Sequence, residues 1–325
     1  MTAPTRTALV IGSAGQDGRL LEQHLTEQDH EVFGVHSDGS VVHRGSAVGI
    51  APLDSAAAVR GMVERVQPDE VFYLAAHHHS SETAPAPDLG LWRRSFAVHC
   101  DGLLVLLEAL VACAPRAHLV FASSSHVFGE PDRTPQDERT PLRPTSPYAV
   151  TKAAAMAICA SYRKRGFKAS SAILFTHESP LRRSGFLVPR VVSAVARAAH
   201  AGERSVRLEI GAPEAVVDWS WAPDVVRAMH GIAGLAEAGE FVVASGMGRT
   251  VRELCEVAGA HAGVAVDIVT RPETVARRTP TLVGDPTLLR SRVSLPAPVP
   301  FAEWVGMLVD AARAELRRAP EGSLR

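Results

Sequence analysis

Disulfides, charge of one sign and long apolar runs are all missing from this chain, and each absence excludes a class of protein. Only four cysteines occur in 325 residues. They are Cys100, Cys113, Cys159 and Cys255, scattered through apolar helical stretches with neither disulfide nor zinc spacing, so a reducing, cytoplasmic setting is expected. The net charge is −1, which leaves no basic field to recruit nucleic acid. No window of about 18 uninterrupted apolar residues is present, so no membrane span is expected. The stretch before the first apolar run lacks the pattern of a signal peptide. Aromatic residues make up only 5%, and no repeat or low-complexity tract interrupts the chain. What remains is 46% apolar and 21% charged, enough for a large core. That composition suits one large α/β domain with a smaller appended part.

The first fifty residues carry the first positive signal. Thr7 to Ile11 reads as a short apolar strand. The glycine-rich turn Gly12-Ser13-Ala14-Gly15-Gln16-Asp17-Gly18 follows, then an amphipathic run from Arg19 to Gln28, then a second strand from Glu31 to Val35. Glycines at such a turn let backbone N–H groups approach a pyrophosphate at a helix N-terminus. Gly12, Gly15, Gln16, Asp17 and Gly18 are therefore dinucleotide-binding candidates. The end of the second strand reads the adenosine ribose, where an acid would bond the 2′-hydroxyl and an arginine would hold a 2′-phosphate. His36 stands there, followed by Ser37 and Asp38, and no arginine comes before Arg44; this favours NAD over NADP. Asp54 is either a helix N-cap or an adenine contact. Leu74, Ala75 and Ala76, at the end of the strand expected from Glu70, should lie beside the cofactor. The run His77-His78-His79 is expected to be loop, not a metal site, because adjacent residues cannot all face one ion.

Strands and helices alternate through the first 175 residues: a helix at 56–66, a helix at 99–113, a strand at 118–122, a helix at 148–163 and a strand at 168–174. This alternation predicts a Rossmann-type doubly wound parallel sheet over residues 1–175. A helix at 187–201 and short strands at 205–210, 240–244 and 265–269 follow. Residues 176–325 are expected to form mainly a substrate-binding part, with some segments returning to the first unit. The last six residues are expected to fray.

Tyr148-Ala149-Val150-Thr151-Lys152 opens a helix after a proline-rich segment. Tyr and Lys four apart share one helix face, and an ammonium beside a phenol favours phenolate. Such a tyrosine can take the proton of an alcohol undergoing oxidation. Ser123-Ser124-Ser125-His126 stands at the end of an apolar strand, where a serine can hydrogen-bond the same alcohol.

Together, the glycine turn, the serine strand end and Tyr148-x-x-x-Lys152 resemble the extended short-chain dehydrogenase/reductase superfamily. Several further motifs resemble one of its families, the GDP-mannose 4,6-dehydratases. They are Gly15-Gln16-Asp17-Gly18, Ile173 to Pro180 (ILFTHESP), Val217-Asp218-Trp219, Phe241 to Gly246 with Val251 to Leu254, Arg271-Pro272, and Leu282 to Thr287 (LVGDPT). The resemblance implies a homodimer or homotetramer acting on a nucleotide-diphosphate sugar, GDP-linked, with NAD (NADP possible). It implies that Tyr148 removes the C4-hydroxyl proton, Ser124 bonds that oxygen, and Lys152 holds the ribose and tunes Tyr148. His126 stands where the family carries the acid/base Glu that removes the C5 proton in dehydration. Epimerisation through a 4-keto sugar is therefore favoured. Dehydration with His126 as base is the alternative, and a non-catalytic NAD(P)-binding protein is a third reading of another class. Thr176 and Val217 replace an Asn and an Arg of the family pattern. By motif position, His79, Thr176, Glu178, Arg190 and Arg271 join Ser124 and His126 as substrate-binding candidates. Arg182-Arg183 resembles a family loop that takes part in oligomer contacts.

Overall fold

The computed structural model describes residues 5–77, 88–270 and 281–318. In chain order these build β1 (Thr7–Ile11), α1 (Gln16–Glu27), β2 (Glu31–Val35), β3 (Ser40–His43), β4 (Ser46–Ile50), α2 (Ala56–Val66), β5 (Glu70–Tyr73) and α3 (Leu89–Phe96). A π-helical turn (Ala97–Asp101) leads into α4 (Gly102–Cys113), then β6 (His118–Ser124), a 3-10 turn (Ser125–Phe128), α5 (Pro147–Lys164), β7 (Lys168–Leu174) and β8 (Thr176–Glu178). The rest comprises α6 (Leu187–His200), β9 (Ser205–Glu209), β10 (Val216–Trp221), α7 (Ala222–Ala233), β11 (Glu240–Val243), β12 (Gly248–Thr250), α8 (Val251–Ala262), β13 (Ala265–Val269), α9 (Thr287–Arg292) and α10 (Phe301–Arg318).

The main sheet has eight strands in the order β11-β7-β6-β5-β1-β2-β3-β4. The six from β11 to β2 are parallel, while β3 and β4 form an antiparallel hairpin at one edge. Successive strand residues alternate between the two faces. Leu9, Ile11, Val71, Tyr73, Leu119 and Phe121 join one core. Ala8, Val10, Phe72, Val120 and Ala122 join the other. The first core takes Met62 of α2, Leu106 and Leu110 of α4 and Met156 of α5. The second takes Leu21 and Leu25 of α1 and Val225 and Met229 of α7. Helices on both faces make the sheet doubly wound, and each fully buried Leu, Val or Phe contributes about 1.5–3 kcal/mol.

Three features depart from the sequence reading. The β3–β4 hairpin was not expected; it contains few large apolar residues, and β4 is mostly exposed. The helix expected from Arg19 already begins at Gln16, at the glycine turn itself. α3, the π turn and α4 run together as one helix, Leu89–Cys113, long and apolar enough by length and composition to cross a membrane. A sum over the helix passes that test although no uninterrupted apolar run does. Its Leu103, Leu106, Leu107 and Leu110 are spent on the core against α2 and α5.

β8 pairs with β10, and β10 with β12, in a three-stranded sheet, and β9 pairs with β13. Both pack with α6, α8 and α10 around a third core holding Val191, Val195, Trp219, Trp221, Leu254, Trp304 and Leu308. β11 and α7 return to the main sheet. Asp218 ties these parts together. Its buried carboxylate accepts from Ser245 N (2.9 Å), Ser245 Oγ (2.6 Å), Gly246 N (3.1 Å) and Gly284 N (3.1 Å). Three of the motifs that resemble the family therefore meet at one carboxylate and serve the fold.

Candidate active site

The carboxyl ends of β1, β5, β6 and β7 gather the chemistry. Chain order reverses between β1 and β5, and this is where a crevice opens in a doubly wound sheet. Gly12 occupies φ +89°, and a Cβ there would stand 2.8 Å from Ala75 N. The turn after β1 therefore touches Leu74 and Ala75 of the segment after β5. A Cβ at Gly18 would meet Ser13 Cα at 2.5 Å, so only glycine allows α1 to pack so close to the turn. Gly15 heads α1, and no side chain caps that helix. The first amides of α1 and the absence of side chains at Gly12 and Gly15 fit a pyrophosphate.

Gln16 and Asp17 do something the turn motif alone does not reveal. Asp17 accepts from His177 Nε2 with both oxygens at 3.0 Å. His177 Nδ1 lies 2.7 Å from Phe175 O, a carbonyl that only accepts, so both ring nitrogens face acceptors and the ring carries both protons. Burial opposes charge on both groups, yet the pair wins: Asp17 is held down at about 2 and His177 is raised. Gln16 accepts from Ser179 Oγ at 2.9 Å. These two side chains bolt the glycine turn to β8, so HESP here is a structural partner of GQDG.

α5 starts where Ser146 Oγ accepts from Ala149 N at 3.2 Å and Pro147 occupies the first turn. Tyr148 is half-buried in that turn, and Lys152 follows one turn later, 1% exposed. Lys152 Nζ donates to Ala122 O at 2.7 Å and lies 4.7 Å from the centre of the Phe121 ring. Burial pulls Lys152 down to about 7. Burial also pushes Tyr148 up to about 12, against a lowering hydrogen bond with Ser124 and the charge of Arg182. Lys152 Nζ also lies 5.8 Å from the centre of the Tyr148 ring, and Arg182 adds a second positive charge that lowers the phenol's pKa.

β6 ends at Ser124, whose Oγ accepts from His126 N at 3.3 Å and caps the 3-10 turn. That turn brings His126 against Tyr148, ring centres 6.0 Å apart and nearly perpendicular. His126 is exposed at its outer side, and desolvation by the surrounding protein lowers its pKa from the ordinary imidazole value.

Three further residues were not foreseen as site components. Buried His99, on the π turn, contacts Thr151 Oγ1 through Nδ1 at 2.7 Å and accepts from His77 N at 3.1 Å. Its ring centre is 5.4 Å from that of Tyr148, so it braces the start of α5. His177 is the second. Arg182, expected at an oligomer contact, turns inward: its guanidinium stacks 3.8 Å from the centre of the Phe186 ring and lies 3.8 Å from Glu178. Burial lifts Glu178 to about 7. The position of Arg182 beside HESP was the available signal.

Other candidates are less central. His36 does end β2, where it closes a turn with Ser40 O at 3.0 Å. Asp54 is exposed and does not cap α2; Ser55 does, accepting from Ala58 N at 3.4 Å. Thr176 is half-buried opposite Trp219. Arg190 is exposed in the first turn of α6. His79 and Arg271 lie outside the described residues, as do His78 and the last six residues.

A family model described as GDP-mannose 4,6 dehydratase matches residues 9–291. GDP-mannose 4,6 dehydratase 2 of Caenorhabditis elegans is 31% identical over 279 residues, covering 79% of this chain and 71% of that protein. GDP-mannose 4,6 dehydratase 1 of Arabidopsis thaliana is 31% identical over 336 residues, covering 94% and 90%. Among solved structures, the UDP-glucose 4-epimerase of Thermus thermophilus in complex with NAD superimposes with a TM-score of 0.75 at 27% identity, covering 94% of this chain and 99% of that one. The chain belongs to the GDP-mannose 4,6-dehydratase family and is an NAD(P)-dependent nucleotide-sugar-modifying enzyme.

Proposed function

We propose that this chain oxidises C4 of a GDP-linked sugar and then reduces the ketone on its other face, a net epimerisation. Bound NAD(P) supplies the reversible hydride acceptor, with Gly12, Gly15, Gly18, His36 and Ala75 around it. Tyr148 takes the C4-hydroxyl proton and gives it back, and Ser124 holds the same oxygen. Lys152, one helix turn from Tyr148, would hold a ribose hydroxyl of the cofactor and favour the phenolate by its charge. The observation that carries the outcome is His126, an imidazole where the family has a carboxylate. Smaller Thr176 and Val217, in place of the family's Asn and Arg, loosen the hold on the sugar so that its second face can turn inward. Residues 1–175 and 176–325 are read as the cofactor-binding and mainly substrate-binding parts. A cytoplasmic location and a homodimer or homotetramer, implied by the family resemblance, belong to the same proposal.

Dehydration is the second reading, favoured by the His126 ring standing beside Tyr148 with a lowered pKa, able to accept a C5 proton. A non-catalytic role is not favoured, because Ser124, Tyr148 and Lys152 are complete. The test is mass spectrometry after incubation with GDP-mannose and other GDP-sugars in deuterated water. An isomer of unchanged backbone mass supports epimerisation, whereas a product lighter by one water overturns it in favour of dehydration. In the first case His126→Glu is expected to gain dehydration.

A further inference from the structure

At the opposite, amino-terminal edge of the main sheet, side chains from distant parts of the chain converge. Glu70 begins β5 and is 2% exposed. Its Oε1 accepts from Arg6 Nη1 at 2.7 Å. Its Oε2 has no hydrogen-bond donor, and neither does His30 Nε2, 3.5 Å away. His230 Nε2, near the end of α7, lies 3.6 Å from the same Oε2. All three ligand atoms fall within 4.8 Å of one another.

The partner of the His30 ring fixes which of its atoms presents a lone pair. His30 Nδ1 lies 3.1 Å from Gln28 O, a carbonyl that only accepts. That nitrogen therefore carries the proton, and the Nε2 of a neutral His30 faces Glu70 with a lone pair. His230 Nδ1 lies 3.0 Å from His24 Nε2, a contact that either ring can donate; in the tautomer protonated on His230 Nδ1, its Nε2 is open as well. Acceptors facing one another in a buried space repel unless a cation joins them.

We propose that His30, Glu70 and His230 form a site for a divalent transition metal of the zinc type. Bonds of about 2.0–2.1 Å at a tetrahedral ion place ligand atoms about 3.4 Å apart. The observed 3.5 and 3.6 Å from Glu70 Oε2 lie close to that spacing, and the two imidazole nitrogens, within 4.8 Å of each other, would close on the ion. Two imidazoles and one carboxylate oxygen suit zinc, cobalt or nickel, and are too few oxygens for calcium or magnesium. The outer contacts are those that such ligands need: Gln28 O orients His30, His24 orients His230, and Arg6 occupies the second oxygen of Glu70. The Arg6 charge opposes a cation, but its side chain is 58% exposed and screened by solvent. A bound ion would clasp the approach to β2, the start of β5 and the end of α7, so its effect is on stability. The competing occupant is a proton on His30 Nε2, paired with Glu70.

Chelator-stripped, untagged full-length protein is titrated with Co2+ and with Zn2+, alongside His230→Gln, His30→Gln/His230→Gln, and a His77→Gln/His78→Gln/His79→Gln control. One equivalent should bind, with the visible bands of tetrahedral Co2+ and a higher Tm on adding Zn2+. Affinity should fall at least 10- to 100-fold in His230→Gln and be lost in the double variant, while the control binds like the parent. No saturable binding, binding undiminished in the double variant, or binding lost in the control would overturn the site. Should the variants fail to fold, a parent protein with neither Co2+ bands nor a Zn2+-dependent Tm would overturn it as well.

Discussion

The two edges of the main sheet both bury charged side chains, and they settle them differently. At the carboxyl edge Asp17 is answered by His177 and Lys152 by Ala122 O, while Glu178 and Arg182 face each other at 3.8 Å with Glu178 Oε2 and Arg182 Nε outside hydrogen-bond reach of a partner. At the amino edge Glu70 is answered on one oxygen by Arg6, while its other oxygen faces imidazole nitrogens at 3.5 and 3.6 Å without a hydrogen bond. The difference teaches that burial alone does not mark a reactive site. What matters is whether polar groups are satisfied, and by what.

Substitutions can break or sharpen this contrast. Tyr148→Phe removes a group that acts at the carboxyl edge without carrying the fold. Turnover should drop about 1000-fold, while Tm changes little; retained turnover would remove Tyr148 from its role. Asp17→Ala leaves His177 buried beside a lost partner. It should cost about 3 kcal/mol in urea unfolding, the lower end for a broken buried pair because His177 can shed its proton. Gly12→Ala puts a side chain at φ +89° and 2.8 Å from Ala75 N. A loss of about 2 kcal/mol and weaker NAD(P) binding are expected, by thermal melts and cofactor titration.

Two further effects separate the edges by pH and by exposure. Lys152 is lowered to about 7 in the cofactor-free fold but titrates near 10.4 when unfolded. The unfolded chain then binds the extra proton between these values, so this group makes stability rise with pH over that range, by up to about 1.4 kcal/mol per pH unit. His177 is raised, so its contribution has the opposite sign, present below its unfolded pKa near 6.5 and lost as pH rises through its folded pKa. Lys152→Met should delete the rising component in pH-dependent denaturation curves, and an unchanged curve would refute the buried, neutral lysine. Arg6→Met at the amino edge should cost about 1–3 kcal/mol by the same assay, because the arginine is largely exposed but the Glu70 oxygen that loses its donor is buried.

The legible parts were those written locally. β2, α2 and β7 match their expected limits because short β-prone runs closed by polar or turn residues and an 11-residue amphipathic stretch carry the information within themselves. The β3–β4 hairpin escaped because its residues carry weak apolar patterning, and it is held mainly by pairing to β2. Tyr148 and Lys152 were legible from their spacing, Ser124 from its place at a strand end, and His126 from the family resemblance. The direction of the Tyr148 shift was not, since it depends on desolvation and on Arg182, 34 positions further along the chain.

By itself the sequence determined the glycine turn, the alternation that makes a doubly wound sheet, and the Tyr148–Lys152 pair on one helix face, because each is fixed by backbone sterics or by side chains within a few residues of one another. Only the tertiary structure decided that Asp17 pairs with His177, that three motifs close on Asp218, and that His30, Glu70 and His230 meet. Those contacts join positions tens to hundreds of residues apart. The energy of a buried charge depends on which distant groups the fold brings within about 4 Å, a distance that no linear spacing encodes.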